Sequence, residues 1–378
     1  MKFDLLYELQ MPKPHDERSE YRCYHEALAQ IELADRLGYD TVWEVEHHFL
    51  TEFAHSSAPE VFLAAVAQRT SRIRLGHGVV LLPSRFNHPI RVAERVAALD
   101  LISDGRVEFG TGRSSQYEQA GFEIDTEASR EMWQESLEMI PRMWTEDPFE
   151  WKGRFTSVPP RSIVPKPLQK PHPPIWMAAT SPQSWEIAGR NGIGILGLTI
   201  FVSVPQLEDR IRAYRAALRD ARPVGRFVND RVGAFTIVHV AETREQAIAN
   251  GGAEAAINYL LYAFRVLGGF ADPSGRGMQR DYADLEIKST PYRDLIAKEY
   301  PIIVKMQRGE CTFEDLDAED MVIVGDVDQC IRKVERYRQA GLDHLIALMQ
   351  VDRIPHDRVM RSIELFAKEV MPRFRDAR

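Results

Sequence analysis

Cysteine is almost absent: the 378 residues hold only Cys23, Cys311 and Cys330, an odd number, far apart and without C-x-x-C spacing. That excludes a disulfide scaffold and a thiolate zinc or redox motif, and it points to a reducing cytoplasm. No uninterrupted apolar stretch approaches the ~18 residues that cross a bilayer, which argues against a membrane role. The start, Met1-Lys2-Phe3-Asp4-Leu5-Leu6, lacks the apolar run and small-residue cleavage site of a secretion signal and reads as a first strand. An excess of basic residues is also missing. Lys and Arg number 48 against 56 Asp and Glu, a net charge of −8, and the positive charge is dispersed, which argues against general nucleic-acid binding. No repeat of about 20 to 50 residues is present, so a solenoid is excluded.

What is present is alternation. Short apolar runs rich in β-branched or aromatic residues fall at 3–9, 41–46, 73–81, 107–111, 175–179, 193–198, 231–240 and 344–350. Segments of helical period lie between them, the pattern of repeated βα units around a parallel sheet. The first helix carries Tyr24, Leu28, Ile31, Ala34 and Leu37 on one face and stops at Gly38. A second is expected after Ser57-Ala58-Pro59-Glu60, which reads as a capping box. Others are expected at 88–101, 126–144, 182–190, 205–219, 244–267, 327–340 and 355–370. Eight strands alternating with helices predict a (β/α)8 TIM barrel rather than an open doubly wound sheet. Residues 147–174, with six prolines from Pro159 to Pro173, and 268–320, rich in Gly and charge, read as insertions into a single domain spanning 1–378.

Barrel active sites lie at the C-terminal ends of the strands. The second strand ends there in Glu46-His47-His48-Phe49, where His47 has a pKa suited to proton transfer near neutrality. A metal role for the two histidines is weak, because adjacent residues of a strand point to opposite faces. The fourth strand ends in Gly110-Thr111-Gly112-Arg113, which suits a phosphate cradle as well as a plain tight turn. The fifth ends in Thr180-Ser181-Pro182-Gln183-Ser184: an N-cap, a first-turn proline and a second hydroxyl, which reads as simple helix capping or as a helix start able to receive an anion. Gly76 and Gly78 alternate on the third strand, which reads first as a bulge or a barrel-packing requirement and second as bare backbone against which a flat ring can stack.

Together these residues resemble the bacterial luciferase-like flavin monooxygenases, most nearly the luciferase α-subunit branch. The likeness runs from Asp40-Thr41-Val42-Trp43 through Glu46-His47-His48-Phe49, then Gly76 to Pro83, His88-Pro89-Ile90-Arg91, Gly105-Arg106 to Arg113, and Glu369-Val370-Met371-Pro372. It implies a barrel that binds reduced FMN, supplied by a separate reductase, and reacts it with oxygen to give a flavin 4a-hydroperoxide. Carried over by motif, His47 is the catalytic histidine and Glu46 lies beside the flavin. Gly78-Val79 matches a non-proline cis peptide against the flavin ring. Arg113, Ser181 and Ser184 match the phosphate-binding positions. Gly112 replaces a reactive cysteine of that branch and Thr180 a flavin-side glutamate, departures that speak against light emission and leave flavin binding intact. The resemblance also implies a homodimer paired through the second and third barrel helices.

The expected activity is insertion of one oxygen atom from O2 into a small apolar aldehyde- or ketone-like substrate. Segment 268–320 is expected to close over the mouth as a mobile lid, because water in the pocket diverts such chemistry to hydrogen peroxide. The alternatives are a deazaflavin-dependent dehydrogenase of the same fold, a non-catalytic flavoprotein and, last, a barrel-type metal hydrolase.

Overall fold

A computed structural model describes residues 1–267 and 300–375. Eight parallel strands close into a barrel: β1 (Lys2–Tyr7), β2 (Thr41–Glu44), β3 (Arg74–His77) with its continuation β4 (Val80–Leu81), β5 (Val107–Gly112), β8 (Ile175–Ala178), β9 (Gly194–Leu198), β10 (Val232–Val240) and β12 (His344–Leu348). Closure is made by β12, which pairs with β1 through Lys2↔His344 to Leu6↔Leu348 and with β10 through Gly233↔His344 to Ile237↔Leu348. A short strand, β11 (Ile323–Gly325), extends β10 outside this ring. All eight expected strands are therefore present. Segment 147–174 contributes an antiparallel ribbon of β6 (Phe149–Lys152) and β7 (Ser157–Arg161).

Around the ring stand α1 (Ser19–Leu37), α2 (Pro59–Arg69), α3 (Pro89–Ile102), α4 (Gln116–Gly121), α5 (Ser129–Thr145), α6 (Pro182–Arg190), α7 (Val204–Leu218), α8 (Arg244–Ala249), α9 (Gly252–Leu267) and further helices Val327–Gln339 and His356–Leu365. Helix α1 stops as expected: Gly38 takes φ 86° and its N–H reaches the carbonyls of Ala34 and Asp35. The box expected at Ser57 does not form. The N-cap of α2 is Ala58 with no side-chain cap, Pro59 opens the first turn, and Glu60 pairs instead with Arg95 of α3. The helix expected at 244–267 is two helices, broken where Gly251 adopts φ 98°. Of the expected lid, 268–299 lie outside the described residues, whereas Pro301–Gln307 and Phe313–Ala318 are helices.

The N-terminal half of the barrel is plugged by side chains. Asp4 accepts from Trp43 Nε1 at 2.9 Å and from His344 Nδ1 at 2.8 Å. Trp176 packs edge-on against both Trp43 and His344, and its Nε1 donates to Glu108 at 2.7 Å. This floor leaves the C-terminal mouth as the open end.

Several resemblance motifs are scaffold. Arg106 binds the carbonyls of Ala67, Thr70 and Ile73 at the C-terminal end of α2, and His88 caps α3 by accepting from the Ile90 N–H.

Candidate active site

At the mouth, the chain leaving β2 turns His47 toward Glu118 on α4, and the His47 Nδ1–H donates to Oε1 at 3.1 Å. Glu118 is fully buried and also accepts from the His48 N–H at 2.8 Å, Ser114 Oγ at 2.5 Å and Ser115 Oγ at 2.9 Å. Burial opposes its charged form, but the His47 charge and these hydrogen bonds outweigh it and hold the carboxyl at about 2. Burial likewise pulls His47 down, and the charge and hydrogen bond of Glu118, with Glu8 and Glu46 behind, carry it above its ordinary value. Since Nδ1 is committed to Glu118, Nε2 is the ring atom left to meet a ligand. The imidazole packs edge-on against Phe53, which in turn packs on Tyr259 of α9.

Both Glu46 oxygens have protein donors: Oε2 takes the Leu81 N–H at 2.8 Å and Oε1 the Asn87 side chain at 2.8 Å. Glu46 thus ties the end of β2 to β4. His48 points away from His47, donating to Glu46 at 3.3 Å and packing against Phe86 and Phe122.

Across the mouth, β5 and β8 are hydrogen-bonded neighbours, which brings Arg113 and the Thr180–Ser184 turn to adjacent strand ends. Arg113 donates to Ser129 Oγ at 2.9 Å, and burial, then the nearby Arg130, lower its pKa. Ser181 is the N-cap of α6 as expected, yet its hydroxyl caps no backbone N–H and pairs with Ser184 Oγ at 2.8 Å. Thr180 is exposed, and its carbonyl accepts from Arg210 of α7 at 3.3 Å and from Tyr300 at 2.7 Å. Arg210 is only 5% exposed and its Nη2 has no hydrogen-bond partner among the described residues. Among the described residues no carboxylate pairs with Arg113, Arg130 or Arg210. A buried guanidinium without a counter-ion is costly, so this side of the mouth suits an anion from outside.

Gly76 and Gly78 serve barrel packing, and the Gly78-Val79 bond departs from what the resemblance implied. Among the described residues the cis bonds are Lys13-Pro14, Asp147-Pro148, Val164-Pro165 and Lys170-Pro171, so Gly78-Val79 is trans, against the expectation. A trans bond is the ordinary state of a non-proline peptide, since the cis form costs ~3 to 4 kcal/mol. Just beyond it Val80 and Leu81 pair with Thr111 and Gly112, and Gly112 gives Val79 room, since a Cβ there would lie 2.4 Å from Val79 Cγ2. A ring does lie against Gly76, but it is the protein's own Trp43, 2.2 Å from where a Cβ would stand. At Gly78 a Cβ would touch Trp43 Cβ at 3.0 Å.

Three features escaped the sequence reading, each with a signal that was there to be used. Ser115-Gln116-Tyr117-Glu118 is itself a capping box, and it forms. Leu207, Ile211 and Tyr214 mark the buried face of α7, and Arg210 falls on that same face. Glu8 follows Asp4 and Leu6 at alternate positions along β1, which carries it to the mouth above the floor.

The model of the family described as luciferase-like monooxygenase matches residues 7–344. The oxygenase component of a flavin-dependent trigonelline monooxygenase from Acinetobacter baylyi is 26% identical over 384 residues, covering 100% of this chain and 97% of its own. An F420-dependent glucose-6-phosphate dehydrogenase from Amycolatopsis mediterranei is 24% identical over 356 residues, covering 90% of this chain and 92% of its own. In structure, the monooxygenase RslO1 from Streptomyces bottropensis superposes with a TM-score of 0.76 at 27% identity, over 99% of this chain and 100% of the other. With the barrel and the mouth in place, the match across most of its length makes this chain a member of the luciferase-like monooxygenase family.

Proposed function

We propose that this protein is the oxygenase of a two-component flavin monooxygenase, a single barrel domain that takes reduced FMN from a separate reductase. The observation that carries this reading is the set of cations without carboxylate partners among the described residues, Arg113, Arg130 and Arg210, at the strand ends that also carry the Ser181 and Ser184 hydroxyls, on the same mouth as the His47–Glu118 pair. A phosphate fits that donor set: charge-assisted contacts from two or more guanidiniums, with the N-terminal end of α6 behind them. Thr180 and Gly112 flank this seat, and Gly78, Val79 and Glu46 form the wall along β4 on which the ring system would lie. The naming of the Acinetobacter relative as an oxygenase component supports the separate reductase.

When bound, reduced FMN supplies two electrons and two protons, so that with O2 and substrate the products are oxidised FMN, oxygenated substrate and water. The residues of this chain must seat the phosphate, exclude water and deliver protons to the oxygen atom that leaves as water. His47, oriented by Glu118, holds a proton at Nε2, within the mouth. The aromatic wall of Phe53, Tyr259 and Phe235 keeps that end apolar, which suits a small aldehyde- or ketone-like substrate. Exposed Val61 on α2 and Leu101 and Ile102 on α3 support pairing of two copies through these helices.

The test is anaerobic mixing with reduced FMN in a stopped-flow spectrometer, followed by oxygen. A transient absorbance distinct from free reduced and oxidised flavin is expected. Reoxidation at the rate of free FMN would overturn the reading and favour the deazaflavin-dependent dehydrogenase, which the Amycolatopsis relative keeps in view. Tight binding with no change in reoxidation would leave a non-catalytic flavoprotein.

A further inference from the structure

Glu8 is an acid of the mouth that the foregoing mechanism does not use. Its side chain is 3% exposed; Oε1 accepts from the Tyr259 hydroxyl at 2.7 Å, and Oε2 is buried without a hydrogen-bond partner among the described residues. Tyr259 is in turn fixed by Phe53 and Phe235, and Phe53 lies against the His47 ring, so one aromatic wall seats both groups. An unpartnered carboxyl oxygen is expensive to bury; Asp4 and Glu44 carry one as well, but Glu8 is the one of the three that shares an aromatic wall with His47, where proton exchange or a ligand can meet that cost.

We propose that Glu8, positioned by Tyr259, is a second proton-holding residue of the mouth that shares its proton with His47. The proposal rests on the monooxygenase reading for its use, and for its existence on the burial of Glu8, its Tyr259 contact and the charge interaction between Glu8 and His47. In the proton-holding state the Oε2–H bond is intact and Oε1 still accepts from Tyr259. On delivery that bond breaks, the proton passes to an acceptor oxygen in the mouth, and the carboxylate left behind is reprotonated from the His47 imidazolium. Burial raises Glu8 to about 7, against the lowering effects of the His47 charge and the Tyr259 hydrogen bond, so both forms are populated near neutrality. The titratable groups acting on it are His47 beyond β2, Glu44 on β2 and Tyr259 on α9. His47 is flanked by Glu118 on its other side, a carboxylate that stays charged throughout.

The first measurement is the His47 titration followed by NMR in the protein without cofactor. Wild type is expected to titrate in two coupled steps, one near the Glu8 value, because the two groups share charge. Glu8→Gln should leave one step at lower pH, since a neighbouring carboxylate is gone, and a His47 curve superimposable on wild type would overturn the proposal. Should Glu8→Gln fail to fold, Tyr259→Phe carries the same test. Loss of its hydroxyl removes a donor that favours the carboxylate, so the Glu8 step should move up, and an unmoved step would overturn the proposal. The second measurement is the pH dependence of decay of the stopped-flow transient. Glu8→Gln should flatten it around neutrality and Glu8→Asp should restore it in part, whereas an unchanged profile would count against Glu8. If wild type forms no transient, the monooxygenase reading has failed while the NMR result still decides whether the proton is shared.

Discussion

The two sides of the barrel mouth treat charge in opposite ways. On the His47 side the principal charges are matched from within the chain: the imidazolium has Glu118, and Glu118 has three further donors around it. On the Arg113 side the cations have hydroxyls, a carbonyl and an aromatic ring around them but no carboxylate among the described residues. A self-neutralised site can hold and release protons without changing what it binds. An unneutralised one lowers its own stability until an anion arrives, and so spends its electrostatics on binding. Proton handling and cofactor retention should therefore separate by mutation.

The largest effect belongs to the first side. His47→Ala should cut coupled oxygenation by ~10²- to 10⁴-fold, the range of a lost general acid or base, while reduced FMN still binds. The check is product formed per flavin oxidised, together with hydrogen peroxide, which should rise.

Arg113→Ala should do the reverse. It removes a charge-assisted contact worth ~1.5 to 3 kcal/mol, so affinity for reduced FMN should drop roughly 10- to 150-fold. Reduced riboflavin, which lacks the phosphate, should bind mutant and wild type alike. Anaerobic titration of both flavins tests this, and equal losses for the two would erase the distinction between the sides. Arg210→Ala is expected to follow the same pattern.

Glu118→Gln probes the neutralised side through pH. Folding lowers Glu118 from its ordinary value of 4.5 to about 2, so its contribution is complete above 4.5 and is lost as pH falls toward 2. Folding raises His47 above 6.5, so its contribution is complete below that value and fades as pH rises through the folded one. Urea unfolding should therefore show wild type losing stability between about pH 5 and pH 3, and the variant losing less of it. The His47 titration of the variant should move down.

The smallest effect is local. Ser115→Ala removes a cap that forms and should cost ~1 kcal/mol, whereas Ser57→Ala, at a box that does not form, should stay within about 0.5 kcal/mol. Thermal denaturation of the two variants compares them.

The contrast between Ser57 and Ser115 also shows how far the sequence could be read. Both begin an S-x-x-E string, and nothing local says which will cap. Pro59 starts α2 two residues beyond Ser57, and Arg95 from α3 claims Glu60, so the first box is undone by a residue 35 positions away. At Ser115 no such competitor intervenes, and Glu118 both closes the box and reaches His47, 71 positions back. Gly76 carries the same lesson: the bare backbone was legible, and that Trp43 rather than a ligand lies on it was not. The break at Gly251 was legible only in part, because a glycine inside a helical pattern is tolerated as often as it stops one.

Strand periodicity, helix faces and the Gly38 stop were fixed by local stereochemistry and by apolar spacing, so the eight βα units and the family could be read from the chain directly. Partner choice belonged to the closed barrel. Closure sets residues from β1, β2, β5, β8 and α9 around one mouth, and only there did it emerge that His47 meets Glu118, that Glu8 meets Tyr259, and that Arg210 meets no acid among the described residues. Charge pairing depends on distances across the fold and on the exclusion of water, and neither quantity is carried by sequence spacing.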